Sequence, residues 1–353
     1  MTVVTAGLID WRKRSQMADR AALIENFLQA AGWAGANRSL LAGDASFRRY
    51  ERVERDGEIA VLMDAPPPQE DVRPFINITT HLRELGYSAP AILAEDTEAG
   101  FLLLEDLGDS TFTQALAAGA DETALYQSAV DVLVDLHRRP VVSAVPNGVE
   151  NYDEEKLLSE AALLTEWYLP GILGDEISDL TKNDYQAVWR KLLPEIAASG
   201  ETLVLRDFHA DNLMWLPERD GVARCGLLDY QDAVAGSPAY DLMSLLEDAR
   251  RDLKPGLTAH LLDNYFAALP ETGVDAFKKA YVILAAQRHC KVIGIFSRLA
   301  NRDGKYDYLA HIPRVWKMLE HACHAPEMAT LKDWLDAHIP ADKRTSPTPN
   351  LRA

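Results

Sequence analysis

The chain has 353 residues, which is enough for two domains or for one large domain of two lobes. Hydrophobic residues make up 48% and charged residues 25%, as in soluble globular proteins, and no apolar run approaches the roughly 18 residues of a membrane helix. The 36 basic and 54 acidic residues give a net charge of −18, which argues against binding to nucleic acids or anionic lipids. The N-terminus lacks a secretory signal and the three cysteines are too few for a disulfide framework, so we expect a cytoplasmic protein.

The first hundred residues alternate between strand-like and helix-like patterns. Asp56-Gly57 joins two strand-like runs and is a strong signal for a β-hairpin. The elements predicted here are a helix over Ala18–Ala31, strands over Phe47–Glu54 and Glu58–Met63, a helix over Val72–Leu85, and strands over Pro90–Ala94 and Phe101–Glu105. Together they predict a small β-rich lobe.

After Gly108 the pattern is mainly helical, interrupted by a short β-rich island. Helical apolar stripes occur over Leu125–Leu136, Glu154–Trp167, Asp184–Ala198 and Tyr281–Leu299, and the island contains the runs Thr202–Leu205, Leu213–Leu216 and Cys225–Leu228. The fold class is therefore α+β, with a small β-rich N-lobe over residues 1–106 and a larger, mainly helical C-lobe over residues 107–340. The polar, proline-rich residues 341–353 predict a disordered tail.

The β-rich island carries the residues best suited to chemistry. Asp207 and Asn212 lie five positions apart in one polar loop, and Asp229 ends an apolar strand that is expected to pair with Leu213–Leu216. That hairpin would bring Asp229 beside Asn212. Phosphoryl transfer needs such a set, because one carboxylate orients the acceptor hydroxyl while an amide and a second carboxylate hold Mg²⁺ on the nucleotide. The alternative is two polar turns in which Asp and Asn are only turn residues.

These loops resemble the catalytic and metal-binding loops of the aminoglycoside phosphotransferase and choline kinase group, distant relatives of the protein kinases. More narrowly, Leu41–Tyr50, Leu205–Leu213 and Asp229–Leu242 are similar to segments of the bacterial anomeric sugar kinases of cell-wall recycling. The resemblance runs from about Ala18 to Ile339. It implies a bilobal, protein-kinase-like fold with ATP and Mg²⁺ as cofactors. It also implies phosphorylation of the C1 hydroxyl of N-acetylmuramate and N-acetylglucosamine, in peptidoglycan recycling.

The resemblance assigns roles to four residues of the C-terminal half. Asp207 matches the catalytic aspartate, and Asn212 and Asp229 match the Mg²⁺ ligands, with Asp229-Tyr230-Gln231 where protein kinases have Asp-Phe-Gly. Asp241 matches an aspartate that braces the catalytic loop. An ordinary carboxylate at a helix N-terminus is an equally good interpretation of Asp241.

The resemblance also implies how the N-lobe holds the nucleotide. Leu104–Leu107 matches the hinge, so the backbone of Glu105 and Leu107 is expected to bind the adenine edge. Backbone amides near Ser46 and Phe47 are expected to cover the phosphates, although this loop contains one glycine where a fuller phosphate loop has several.

The third strand departs from the family pattern. Met63 stands where a lysine normally binds the phosphates, so the chain is either a pseudokinase or uses another cation. Arg48 and Arg49 are the candidates, because adjacent strand residues face opposite sides and one of them should face the nucleotide. A solvated basic strand face is the alternative.

The acceptor is expected to contact the helical lobe. The candidates are Trp167, Asp232, Arg288 and His289, any of which can equally have a structural role. An aromatic ring can stack on a sugar, and an arginine can pair with the carboxylate of muramate. We expect a small amino sugar as the substrate and no obligate protein partner. The alternatives are a kinase for another small alcohol, such as an aminoglycoside or choline, and a nucleotide-binding pseudokinase.

Overall fold

The structure, a computed structural model, describes residues 19–43, 47–174, 177–269 and 273–347. It consists of two compact units. The first unit comprises the chain up to Ser110 together with Gly226–Gln231, and the second comprises Thr111–Cys225 and the chain from Asp232 onward. The first boundary lies close to the predicted end of the N-lobe at residue 106, whereas the return of Gly226–Gln231 to the first unit has no counterpart in the prediction.

The first unit is built on a five-stranded antiparallel sheet. Its spatial order is β1 (Asn37–Gly43), β2 (Arg49–Arg55), β3 (Glu58–Asp64), β5 (Phe101–Glu105) and β4 (Ile92–Asp96). The predicted hairpin is confirmed, because Asp56 and Gly57 both have positive φ, at 53° and 85°, between β2 and β3. The edge strand β1 was not predicted.

Two helices complete the first unit. The described part of α1, residues 19–30, buries Ile24, Phe27 and Leu28 against one face of the sheet. The sheet residues of this core are Val53, Ala60, Leu62, Phe101 and Leu103. Strand alternation sends Met63 to the opposite face, where it is also buried. Helix α2 (Arg73–Glu84) follows β3 and was predicted over nearly the same residues.

The second unit is mainly helical and is organised around one long helix. Its helices are α3 (Phe112–Ala117), α4 (Glu122–Arg138), α5 (Val141–Ala144), α6 (Glu154–Leu163), α7 (Leu169–Leu173), α8 (Asp179–Leu192), α9 (Ala239–Leu246), α10 (Leu257–Ala268), α11 (Val274–Asp303), α12 (Ile312–Ala322) and α13 (Ala329–His338). Helix α11 packs against α6, α9 and α12. Within the described residues, no helix has the length and apolar character needed to cross a membrane, the 30-residue α11 included.

A π-helical turn, Leu164–Tyr168, connects α6 to α7. The sequence predicted an uninterrupted α-helix over Glu154–Trp167, and the structure differs at this turn. Helix α11 approaches the junction closely, since a Cβ on Gly294 would lie 2.4 Å from the backbone carbon of Leu163. Only glycine permits this separation.

Four short strands carry the polar loops of the β-rich island. Strand β6 (Thr202–Val204) pairs antiparallel with β9 (Val234–Gly236). Strands β7 (Leu213–Trp215) and β8 (Cys225–Leu227) form a hairpin in which the Leu216 amide donates to the Arg224 carbonyl at 2.9 Å. Three of these strands match the predicted island, and β9 was not predicted.

Residues 341–347, here called the C-terminal strap, are ordered, in contrast to the predicted tail. The Arg344 side chain is 11% exposed and pairs with Glu320 at 2.8 Å and Asp336 at 2.5 Å. The Tyr168 hydroxyl lies 2.8 Å from the carbonyl oxygen of Lys343. The polar composition suggested disorder. The sequence alone does not show that Arg344 has two carboxylate partners, because Glu320 and Asp336 belong to earlier helices. Residues 348–353 of the predicted tail lie outside the described residues.

Candidate active site

The loop that carries Asp207 is fixed by a buried carboxylate on α9. Asp241 accepts hydrogen bonds from the amides of Leu205 at 2.6 Å and Arg206 at 2.9 Å. Arg206 has a positive φ of 68°, a strained conformation that needs such support. Burial raises the pKa of Asp241 to about 7, opposed by those two hydrogen bonds. Asp241 thus bonds the loop that precedes Asp207, and its role in the reaction remains a prediction.

The Asp207 carboxylate is accessible, with 47% of its side chain exposed. Desolvation acts to raise its pKa, but the positive charges of Lys291, Arg288 and Arg206 outweigh that effect and hold the pKa below its usual value. The Nη2 of Arg288 lies 3.9 Å from Asp207 Oδ1. Asp207 is therefore an ionised carboxylate that a ligand can reach.

Asn212 is tied to the same loop. Its side-chain Nδ2 donates to the Asp207 carbonyl at 3.0 Å, and its backbone amide donates to the His209 carbonyl at 2.9 Å. These bonds orient the Asn212 side chain relative to Asp207. His209 is buried, and desolvation lowers its pKa, so it is neutral at physiological pH.

Asp229 belongs to the first unit and lies in a strained turn of its own. Its φ is +57°, and its Oδ1 accepts a hydrogen bond from Gln231 Nε2 at 2.9 Å. Tyr230 anchors this turn to α2, because its ring stacks on Phe75 at 5.3 Å and its hydroxyl lies 2.8 Å from Thr79 Oγ1. The turn is thus held by a buried aromatic residue.

The donor atoms offered by Asn212 and Asp229 suit magnesium. They are an amide oxygen and a carboxylate oxygen, which are the hard ligands that Mg²⁺ prefers, and Mg²⁺ completes its shell with water and phosphate oxygens. Nowhere in the described ranges do three or more His, Cys, Asp or Glu side chains gather in a group that could hold a metal ion.

The structure distinguishes the two candidate arginines of the first unit. Arg48 has only 11% of its side chain exposed, and its Nε lies 3.6 Å from Oε2 of Glu70. The same carboxylate accepts a hydrogen bond from the Phe47 amide at 3.1 Å through Oε1. Arg49, the first residue of β2, is exposed. Ser46 lies outside the described residues.

The expected hinge is bonded to Ala91, which precedes β4, and to Arg52 on β2. The Glu105 amide donates to the Ala91 carbonyl at 2.8 Å, and the Glu105 carboxylate accepts from the Ala91 amide at 3.0 Å. Arg52 on β2 binds Asp106 at 2.6 Å and Asp109 at 2.8 Å. Sequence reasoning did not identify Arg52, since nothing in the local pattern points to the two carboxylates. Leu107, which lies between Asp106 and Asp109 in the sequence, is half-buried.

The four residues expected to contact the acceptor are placed differently from one another. Arg288 is buried beside Asp207. Asp232 is exposed, and its carbonyl accepts a hydrogen bond from Arg206 at 3.3 Å. Trp167 is half-buried in the π-helical turn. His289 is 2% exposed and its Nε2 lies 2.7 Å from Glu247, so its position is that of a core residue and not that of a sugar contact.

Glu160 was not identified from the sequence. This buried carboxylate on α6 pairs with Arg206 and the Tyr152 hydroxyl, and it accepts from Lys291 Nζ at 2.9 Å. Burial acts to raise the pKa of Glu160, but the charges of Lys291 and Arg206 outweigh it and lower the pKa. The only sequence signal was that Lys291 follows Arg288 by three positions, which puts both on one face of α11.

Comparison with protein families and curated proteins gives consistent results. The model of a phosphotransferase enzyme family (APH) matches residues 37–276. An N-acetylmuramate/N-acetylglucosamine kinase from Caulobacter vibrioides is 36% identical over 93% of this chain and 99% of its own length. A protein of the same name from Pseudomonas putida is 37% identical over 86% of this chain and 88% of its own.

Solved structures show the same fold at low sequence identity. The choline kinase LicA from Streptococcus pneumoniae matches with a TM-score of 0.60 and 11% identity, over 86% of this chain and 99% of the other. A streptomycin–ATP–APH(2″)-IIa ternary complex matches with a TM-score of 0.51 and 16% identity, over 77% of this chain and 89% of the other. These likenesses confirm the predicted bilobal kinase-like fold.

Proposed function

The chain belongs to the phosphotransferase enzyme family, and we propose that it is an ATP-dependent kinase for the anomeric C1 hydroxyl of N-acetylmuramate and N-acetylglucosamine. The observation that carries the proposal is the accessible, ionised Asp207 on its braced loop, in a chain whose curated relatives bear the name of that kinase. A role in peptidoglycan recycling, in the cytoplasm where ATP is made, follows from the same substrates.

Asp207 acts as the base that orients the acceptor hydroxyl and takes its proton. The low pKa imposed by Lys291 and Arg288 makes it a weak base. An anomeric hydroxyl is more acidic than an ordinary alcohol, so a weak base suffices at that position. The bracing of the loop by Asp241 keeps the carboxylate in place, which matters because phosphoryl transfer depends chiefly on positioning.

Asn212 and Asp229 are the proposed ligands of Mg²⁺. When bound, the metal would neutralise phosphate charge on the nucleotide. Asn212 would offer its amide oxygen, since its nitrogen donates to the Asp207 carbonyl. Asp229 would offer its carboxylate, held by Gln231 within its own turn.

Arg48 is the proposed replacement for the missing third-strand lysine. It is largely buried and paired with Glu70, in the way that a phosphate-binding cation is commonly held by a carboxylate. A guanidinium can bind two phosphate oxygens at once, so it is an adequate substitute for an ammonium group. Ser46 and Phe47 would supply backbone amides to the phosphates, and Glu105 and Leu107 would supply backbone groups to the adenine.

The alternative acceptors, aminoglycosides and choline, are cations. Arg288, Lys291 and Arg206 surround Asp207 with positive charge, and this is a poor environment for a cationic acceptor. The local charge therefore favours a neutral or anionic sugar.

The test is ADP release with Mg-ATP across a panel of acceptors. The panel contains N-acetylmuramate, N-acetylglucosamine, glucose, choline and an aminoglycoside, and each N-acetyl sugar is supplied with a free and a methylated C1 hydroxyl. Turnover with the free N-acetyl sugars and none with their methyl glycosides is expected, with phosphorus NMR showing an anomeric phosphate. Turnover of the methyl glycosides, or of the cations alone, would remove the proposed acceptor. Nucleotide binding without turnover would indicate a pseudokinase.

A second test separates the two arginines. Arg48→Met should weaken Mg-ATP binding by about 10- to 100-fold, because a charge-assisted contact to phosphate is lost. Arg49→Met, on the neighbouring exposed residue, is the matched control and should bind Mg-ATP as the wild type does. The reverse order of affinities in calorimetry would transfer the role to Arg49.

A further inference from the structure

Arg288 is a buried arginine whose guanidinium is incompletely bonded. The residue is 7% exposed, and within the described part of the chain its Nε is a buried donor with no hydrogen-bond partner. Its Nη2 lies 3.9 Å from Asp207 Oδ1, which is an ion pair but too long for a hydrogen bond. A buried charged donor without a partner is costly, so an arginine in this position suggests that a ligand supplies the missing acceptor.

The neighbouring cations differ from Arg288 in having Glu160 as a partner, although among the described residues the Arg206 Nε is likewise a buried donor without a hydrogen-bond acceptor. Lys291 donates to Glu160 at 2.9 Å, and Arg206 pairs with the same carboxylate. Glu160 thus places one negative charge between these two cations. Arg288 contacts the ring of Tyr240 from 5.9 Å and has Asp207 as its ion-pair partner. In the proposed reaction, Asp207 also contacts the acceptor hydroxyl. Its carboxylate would then neutralise Arg288 less completely, and Arg288 could bind a second anion.

We propose that Arg288 binds the carboxylate of N-acetylmuramate and determines the preference for this sugar; the inference rests on the proposed function. N-acetylmuramate differs from N-acetylglucosamine by a lactyl ether on C3, which ends in a carboxylate. With the C1 hydroxyl at Asp207, this carboxylate extends from the same sugar ring toward the cation that adjoins Asp207. A guanidinium can bind Asp207 and a second carboxylate at once through its separate N–H groups.

Arg288 would also reduce the electrostatic repulsion between Asp207 and the carboxylate of the acidic sugar, a repulsion that does not arise with N-acetylglucosamine. Two carboxylates, one of Asp207 and one of the substrate, repel each other when they share a site. A cation that contacts both offsets this repulsion, and Lys291 adds to the positive potential. N-acetylglucosamine carries no such charge and does not need Arg288 for binding.

The experiment compares the two sugars with purified variants of the full chain. Arg288→Met should lower kcat/KM for N-acetylmuramate by about 10- to 100-fold, the loss expected for a hydrogen bond between charged groups, mainly through KM. The loss for N-acetylglucosamine should be clearly smaller and should appear in kcat and not in KM, because for this sugar the change alters only the surroundings of Asp207. Arg288→Lys should recover part of the lost activity because it keeps the charge. Arg302→Met, which changes an exposed arginine near the end of the same helix, is the control and should alter neither sugar.

A second comparison uses the wild-type chain and therefore does not depend on the folding of any variant. The methyl ester of N-acetylmuramate keeps the lactyl group but not its charge, and it should react more slowly than the acid. Arg288→Met should abolish that difference.

The outcomes that would overturn the inference are distinct. Equal losses for both sugars in Arg288→Met would mean that Arg288 acts through Asp207 and not on the carboxylate. Equal rates for the acid and its ester with the wild type would mean that the charge is not recognised. Turnover of neither sugar by the wild type would instead remove the proposed function, and the inference with it.

Discussion

The environment of Asp207 shows how single residues set its chemistry. A carboxylate that is half exposed and surrounded by Lys291, Arg288 and Arg206 stays ionised throughout the physiological range. The same cations limit its strength as a base. In the proposed reaction, Asp207 would therefore suit an acceptor whose hydroxyl is already acidic better than an ordinary alcohol.

Replacing Asp207 by Asn should abolish most of the turnover while leaving nucleotide binding nearly intact. The change removes the base but keeps the size of the side chain, so kcat should fall by about 10²- to 10⁴-fold. Steady-state ADP release and calorimetry with Mg-ATP measure the two quantities. Asp211→Asn is the matched control, because Asp211 lies in the same loop and is bonded to Thr113 at 2.5 Å. Wild-type activity in Asp207→Asn would contradict the mechanism.

Asp241 should make the stability of the protein depend on pH. Its pKa is about 7 in the folded protein, above the value of roughly 4 expected in the unfolded chain. The folded state therefore holds the proton more tightly, and the contribution of Asp241 to the free energy of unfolding is lost as the pH rises from about 4 to 7. Asn cannot titrate, so Asp241→Asn should remove this part of the slope.

Urea unfolding of both proteins between pH 5 and pH 8 measures the effect. As the pH rises, the free energy of unfolding of the wild type should fall relative to that of Asp241→Asn. A difference that is constant with pH would show that Asp241 titrates alike in the folded and unfolded chains.

Some of these residues were predictable and others were not, for physical reasons. Asp207, Asn212 and Asp229 follow or precede short apolar strands, which made them candidates beside the alternative of simple turn residues, and their roles remain proposals. The assignment of Arg48 over Arg49 could not be made from alternation alone, because β2 begins only at Arg49. Glu160 itself could not be recognised because its partners Arg206 and Lys291 are distant in sequence, and the spacing of Arg288 and Lys291 does not point to it.

At the scale of elements, α11 contacts the junction between α6 and the π-helical turn so closely that Gly294 leaves no room for a Cβ. Gly294→Ala should destabilise the protein by about 1–3 kcal/mol, since the new methyl group would overlap the backbone of Leu163. Gly171→Ala is the matched control: its Cβ would meet Pro347 at 3.4 Å, an ordinary contact, and alanine favours the helix. Thermal unfolding of both variants tests this, and equal Tm values would show that α11 can shift at no cost.

The sequence predicted elements best where a local signal existed. Asp56-Gly57 specifies a tight hairpin because both positions require positive φ. The helix α8 was expected to continue to Ala198, but Pro194 lies at the start of a 3₁₀ segment, Leu193–Ser199, that replaces its end. Strands β1 and β9 were missed because the first is a partly polar edge strand and the second has only three residues.

At the scale of the whole molecule, the C-terminal strap joins three elements of the second unit. Removal of residues 341–353 should lower the Tm by several degrees, because Glu320 and Asp336 lose Arg344, and Tyr168 loses its carbonyl acceptors. Lys343→Ala is the control, since it keeps the main-chain carbonyl that Tyr168 uses. An unchanged Tm after truncation would show that the strap adds no stability.

The division into two units could be anticipated only in part. The change from strands to helices near Gly108 marked the first boundary, because it alters the period of the apolar pattern. The return of Gly226–Gln231 to the first unit left no such mark, since a strand of three residues followed by a polar turn looks the same in either unit.

That return has a consequence for the order in which the protein is made. Gly226 pairs with Ser88, and Tyr230 occupies the position beside Phe75 and Thr79 on α2. A ribosome synthesises residues 111–225 before Tyr230. The first unit therefore lacks this buried side chain until a large part of the second unit has been made. The first unit is therefore completed in the middle of the synthesis of the second, and neither can be obtained whole by cutting the gene at one point.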